Sequence, residues 1–174
     1  MVLKPQDVFI VLKLVALGRQ PWTYIQLASE LFMSASEINA GVKRAIRARL
    51  AGAAPGGKGN PLPNLIALNE FLVHGVKYAF PPDRGSLTLG VPTAHATAPL
   101  AGQIEPYEEL PPVWPSPEGT VKGYAYSPLY TSVPKAALAD PKLHELLALV
   151  DAIRDERSRV ANLAIKELQA RLRL

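Results

Sequence analysis

The sequence predicts a mainly α protein in three parts, residues 1–80, 81–134 and 135–174. Three observations predict it. Two short segments near the start each open on a helix-capping box with apolar residues behind it. Eleven of the seventeen prolines fall between residues 81 and 134, where they exclude regular helix. Residues 140–174 then return to apolar positions at helical spacing.

The bulk composition bounds what such a chain does. A length of 174 residues suits one ordinary domain, or a small domain with an appendage. Hydrophobic residues make up 48% and charged residues 20%, as in globular proteins. With no cysteine, neither a disulfide framework nor a thiolate metal site is available. The apolar start "MVLKPQDVFIVLKLVALG" contains Gln6, Asp7 and Lys13 and lacks a small-residue cleavage site, so it does not read as a signal peptide. No apolar run approaches the ~20 residues that span a bilayer. A soluble, cytoplasmic protein is the expectation. Charge is uneven: residues 1–60 hold eight Lys/Arg against three Asp/Glu, and residues 61–174 eleven against twelve. A basic first third points to contact with a polyanion.

The first segment reads as a helix from Pro5 to Leu17. Pro5 suits its first turn, Asp7 complements the positive helix end, and Gly18 can stop it. Apolar residues nearly surround it, so it should be well buried. Thr23 and Gln26 then form a T-x-x-Q capping box, with Trp22 and Leu27 at the staple positions. Leu27, Leu31 and Phe32 are expected to face the core. Ser34 and Glu37 repeat the arrangement as S-x-x-E, stapled by Met33 and Ile38. Only one or two residues separate the second helix from the Ser34 cap, so the pair must turn sharply. That is the layout of a helix-turn-helix.

The third helix has two unlike faces. Ile38, Val42, Ile46 and Leu50 make the expected core stripe. Ser36, Ala40, Lys43 and Arg47 lie roughly opposite, flanked by Asn39 and Arg44. Ser and Asn hydrogen-bond base edges in the major groove, while Arg reads guanine or grips phosphate. The same cations on an isolated amphipathic helix are a solvated face; it is the sharp turn that favours DNA. Gly41, mid-helix, costs ~1 kcal/mol relative to Ala and permits close approach to a neighbouring helix or to DNA.

"WTYIQLASELFMSASEINAGVKRAIRARL" resembles the helix-turn-helix of bacterial winged-helix regulators of the MarR type. Those share an L-A-x-E-L run, a short turn, S-x-S-x-[IV] and a basic stretch ending in R-L. The resemblance spans residues 5–80 and implies an N-terminal winged helix-turn-helix. It places Ser34, Ser36, Asn39, Lys43, Arg44 and Arg47 where that family contacts DNA.

Gly52 to Lys58 matches G-x-x-x-x-G-K, but Gly59 stands where a P-loop needs Ser or Thr for magnesium, and no strand precedes it. Nucleotide binding is rejected. A winged fold places its hairpin in this stretch, with Lys58 near the tip to touch phosphate, although no alternating β-formers flank the glycines. Asn64 caps a fourth helix, "LIALNEFLVHGVKYAF". His74 beside its apolar stripe is a packed or surface histidine rather than a ligand.

The proline-rich stretch keeps Trp114, Tyr107, Tyr124, Tyr126, Tyr130, Ile104 and Val113, too many large groups for a plain linker. It is expected to be ordered and extended. Glu105, Glu108, Glu109 and Glu118, with no cation between Gly85 and Val121, make an acidic, aromatic strip. Such a strip either docks on a basic protein partner or covers its own core. In the last part Asp140 caps a helix, Pro141 fits its first turn, and "RDERSR" interrupts the apolar face as a bend or a break. Val160, Leu163, Ala164, Leu168 and Leu172 resume the stripe. It suits pairing with a second subunit, as two half-sites require, or packing back on the first helix.

Histidines 74, 95 and 144 have no metal-ligand companion at i+3 or i+4, and no nucleophile elbow appears. No catalytic residue, cofactor or metal site is expected, and the chain is not read as an enzyme. The reading is a sequence-specific regulator that binds double-stranded DNA as a homodimer through Ser34, Ser36, Asn39, Lys43, Arg44, Arg47 and Lys58. "PPVWP", "PLYTSVPKAALADP" and "LHELLALVDAIR" also resemble poorly characterised bacterial helix-turn-helix proteins of toxin–antitoxin or defence operons. That likeness implies an alternative: an antitoxin-like module whose residues 81–174 neutralise a protein partner such as a toxin.

Overall fold

A computed structural model of the chain describes residues 1–104, 110–155 and 158–174. Among these residues the protein is mainly α, with eight α-helices and two small sheets. No helix among them is long and apolar enough to cross a membrane.

α1 (Pro5–Leu17) is mostly apolar and buries Val8, Phe9, Ile10, Val11, Leu12 and Leu14 together with Asp7 and Lys13. Gly18, at φ 65°, ends it by donating its N–H to the Leu14 and Val15 carbonyls. α2 (Tyr24–Leu31) and α3 (Ala35–Arg47) follow as the capping boxes predict. Thr23 Oγ1 accepts from the Gln26 N–H at 3.0 Å, while the Gln26 side chain turns to Glu30 instead of closing its box. The Ser34 box is complete: Ser34 Oγ accepts from the Glu37 N–H at 3.2 Å and Glu37 Oε2 accepts from the Ser34 N–H at 2.9 Å.

Two expectations for these helices need correction. Phe32 does not face the core. It is the left-handed residue of the turn, φ 53°, which throws its side chain outward to 44% exposure with the Lys135 ammonium 4.5 Å from its ring. Ile46 leaves the core stripe of α3 at 39% exposure, while Ala45 and Gly41 enter it. A strict four-residue spacing drifts by about 40° per step around a 3.6-residue helix, so the third member has rotated away.

β1 (Ala51–Gly52) and β2 (Leu62–Pro63) pair antiparallel, Ala51 opposite Pro63. The expected fourth helix divides at Gly75 into α4 (Leu65–His74) and α5 (Val76–Ala79), with Asn64 Oδ1 accepting from the Ala67 N–H at 3.2 Å.

The proline-rich stretch is ordered around β3 (Arg84–Pro92), β4 (Pro112–Pro115) and β5 (Val121–Tyr126). β3 runs antiparallel to both others, β4 and β5 are parallel, and the three close on one another. The closure is tight enough that a Cβ on Gly90 would strike the Trp114 carbonyl. Trp114 and Tyr126 are fully buried, with Val91, Leu100 and Leu129 beside them. Between the two readings left open for this stretch, its described residues cover the protein's own core. Glu105, Tyr107, Glu108 and Glu109 of the acidic strip lie outside the described residues. Glu118 is exposed and accepts from Ser116 of its own turn.

α6 (Val133–Ala139), α7 (Pro141–Arg154) and α8 (Ser158–Leu172) complete the chain. Asp140 caps α7, accepting from the Leu143 N–H at 3.2 Å. The "RDERSR" interruption is a break between two helices, and its Glu156 and Arg157 lie outside the described residues. On α8 Val160, Ala164, Leu168 and Leu172 are buried, and the helix packs chiefly on α7 and α4. The stripe offered to a second subunit is therefore used within the chain. One buried cluster runs from Val8 to Leu172 and draws on all three parts.

A charged pair on α7 sits inside that cluster. Asp151 Oδ1 accepts from Arg154 Nη1, and Oδ2 accepts from Thr93 Oγ1 and Trp114 Nε1, all at 2.7 Å. Burial pushes the Asp151 carboxyl up, and the charge of Arg154 together with the three donors opposes it. Arg154 also donates to the Phe80 and Ser127 carbonyls. Arg154→Met leaves Asp151 buried without its counter-charge and should cost about 3–5 kcal/mol, read as a lowered midpoint in urea unfolding.

Lys13, nearly buried on α1, holds Glu30 of α2 and Asp140 at 2.7 Å each. Its hydrogen bond holds Glu30 below the usual carboxylate range. Asp140 is pushed up by burial but brought down overall by Lys13. With folded values below unfolded ones, this stabilisation is complete above the unfolded carboxylate range. It is lost as pH falls through the lowered folded values. Lys13→Met should flatten the acid limb of a stability-against-pH curve, measured by urea midpoints between neutral and acid pH.

Candidate nucleic-acid interface

The short turn through Phe32 and Met33 sets α3 against α2 as the two cap boxes require, and α1 holds α3 from behind. Gly41 is the point of closest approach, because a Cβ there would run into Ile10 and lie 3.0 Å from Asp7 Oδ1. Gly41 therefore serves the packing of α3 on α1.

The structure separates the predicted contact residues. Ser36, Asn39 and Lys43 line one open, shallow groove on α3, with Tyr24 of α2 and Met1 along its side. Ser36 and Lys43 are exposed and Asn39 half-exposed. Arg47 stands exposed one turn beyond Lys43. Ser34 is exposed, but its hydroxyl serves the helix cap and lies 3.1 Å from that of Ser36.

Arg44 differs. Although it borders the groove, its Nε and Nη2 donate to Asp7 Oδ2 and Oδ1 at 2.8 Å each, and only 12% of its side chain is exposed. Asp7 is fully buried and its Oδ2 also accepts from the Lys4 N–H at 2.8 Å. Arg44 is thus a clamp between α1 and α3, and its guanidinium is not offered outward. In the sequence Asp7 reads as a helix-end charge. The signal of its true role was an acid within a mostly apolar helix, matched by a glycine and an arginine three apart on α3.

Lys58 lies exposed between Gly57 (φ 68°) and Gly59 (φ 101°), in the loop joining β1 to β2. This hairpin has only two residues per strand, which explains why no alternating β-pattern marks it. Asn60 fixes it: its Oδ1 accepts from the Trp22 N–H at 3.0 Å and its Nδ2 donates to the Trp22 carbonyl at 2.9 Å. Nothing local in the sequence shows that bond, which spans 38 residues.

Lys43, Arg47, Arg49 and Lys58 pair with no acid among the described residues, and all four are exposed. Glu37, the acid on α3, is engaged by Ser34 and Tyr130. The Ser34 N–H and hydroxyl and the Tyr130 hydroxyl, 2.9 Å from its Oε1, hold it below the usual carboxylate range. The outer face is left with amide, hydroxyl, methyl and cationic groups. Among the described residues no three His, Asp or Glu gather where a metal could bind.

No family model, curated relative or solved structure matches the chain.

Arg44→Ala strips buried Asp7 of its partner and should cost about 3 kcal/mol of stability or more. A thermal or urea unfolding curve reads this without DNA, and an unchanged midpoint would refute the clamp.

Proposed function

We propose that this chain is a sequence-specific regulator of transcription that binds double-stranded DNA with a winged helix-turn-helix. α3 enters the major groove, Ser36, Asn39 and Lys43 meet base edges, Arg47 follows to base or phosphate, and Lys58 on the β1–β2 hairpin touches the backbone. It acts as a dimer on two half-sites, and since the α8 stripe is internal, the second copy docks elsewhere. The observation that carries the reading is the outward face of α3. It presents polar groups and cations free of acidic partners among the described residues, directly after a sharp turn and directly before a hairpin carrying another such cation. A basic helix that only solubilises its surface has no need of that setting. A partner-neutralising role draws no comparable support, because Trp114 and Tyr126 of the middle stretch pack inward.

The test is a titration of the protein against the DNA upstream of its own gene and against a scrambled duplex, at two salt concentrations. Preferential binding to the upstream duplex that survives higher salt is expected. Arg47→Ala should weaken it by ~1–3 kcal/mol if Arg47 reads a base, and Lys58→Ala should weaken both duplexes alike and lower the salt slope by about one. Equal binding to both duplexes, lost as salt rises, would count against sequence reading.

A further inference from the structure

On the reading that α3 enters the major groove, we infer that the first half of this helix recognises A·T base pairs, with Asn39 on adenine and the Ala40 or Ala35 methyl against the methyl of thymine. The inference rests on which groups the groove offers and which it withholds. Each base pair shows a distinct pattern in the major groove. Guanine is read by a bidentate Arg or Lys, cytosine by a carboxylate accepting from its amine, adenine by a bidentate Asn or Gln, and the thymine methyl by small apolar groups.

The arginine that lines the groove, Arg44, is withdrawn from guanine by its two 2.8 Å bonds to Asp7. The carboxylate of α3, Glu37, is withdrawn from cytosine by the Ser34 cap and by Tyr130. Ser36, whose hydroxyl lies 3.1 Å from that of Ser34, can meet a base edge but does not choose between base pairs. What remains open in this half is the Asn39 amide, with no hydrogen bond to any described residue, and the two alanines beside it. Ala35, Ser36 and Ala40 are small, so a base edge can approach the backbone closely, and Tyr24 closes the side of the groove. Cations begin only at Lys43 and Arg47, a turn or more farther along. The chemistry left in place therefore pairs an adenine-reading amide with thymine-reading methyls, and any guanine contact belongs to the far end of the site.

The experiment selects bound duplexes from a randomised library with the full chain, then repeats the selection with Asn39→Ala. That variant removes a half-exposed amide from a helix, where alanine is well tolerated. The expected result is an A·T pair fixed at one position for the natural protein, freed in Asn39→Ala while other positions hold. Loss of the amide should cost about tenfold in affinity for the selected site. A second measurement changes only the DNA: uracil in place of thymine, which removes the methyl, should weaken binding at one neighbouring position. A guanine or cytosine fixed at the position that Asn39→Ala frees would overturn the inference, as would uracil without effect at every thymine of the site. Binding to no duplex at all would overturn the regulator reading beneath it, so the two failures are distinguishable.

Discussion

A single carboxylate, that of Asp151, locates most of what is irregular in this protein. Burying it would be prohibitive alone, but Arg154 three residues on, Thr93 after β3 and the Trp114 indole on β4 all donate to it at 2.7 Å. Tyr126 on β5 adds its hydroxyl to the Asp151 backbone carbonyl at 2.8 Å. Prolines at both ends deprive β4 of ladder donors, and that strand has only four residues. Position comes instead from side chains converging on one turn of α7. Arg154 extends the reach to the carbonyls of Phe80 and Ser127, where the chain enters and leaves β3 and β5.

The helices were legible in the sequence because their signals are local. Cap boxes at Thr23 and Ser34, prolines at first turns and apolar periodicity act within four residues of one another, and the α1 bounds follow from them alone. The middle stretch was legible only as ordered and not helical. Its pairings join Arg84 to Tyr126 and Gly90 to Pro115, separations at which no local pattern specifies register. The split at Gly75 and the outward turn of Phe32, at φ 53°, are backbone choices that apolar periodicity does not register.

The candidate interface shows the same division. Ser36, Asn39 and Lys43 share a face because helix geometry places positions three and four apart together, which spacing alone reveals. Arg44, four residues after Ala40, borders the same groove, and only the buried Asp7, 37 residues earlier, takes it out of the set. Charge counting along a helix finds cations; it does not find the acids that claim them.

The contacts of Tyr130 bear on how such a chain can evolve. Its ring stacks 6.4 Å from that of Phe9 and its hydroxyl reaches Glu37, while Ser132 donates to the Leu31 carbonyl and Asp140 holds Lys13. The helix-turn-helix is thus buttressed by residues that arrive more than ninety positions later. An N-terminal helical unit built this way is not an interchangeable cassette. Recombination that joined its first 80 residues to a foreign tail would inherit an open flank on α1, so the two parts of the chain are bound to be inherited together.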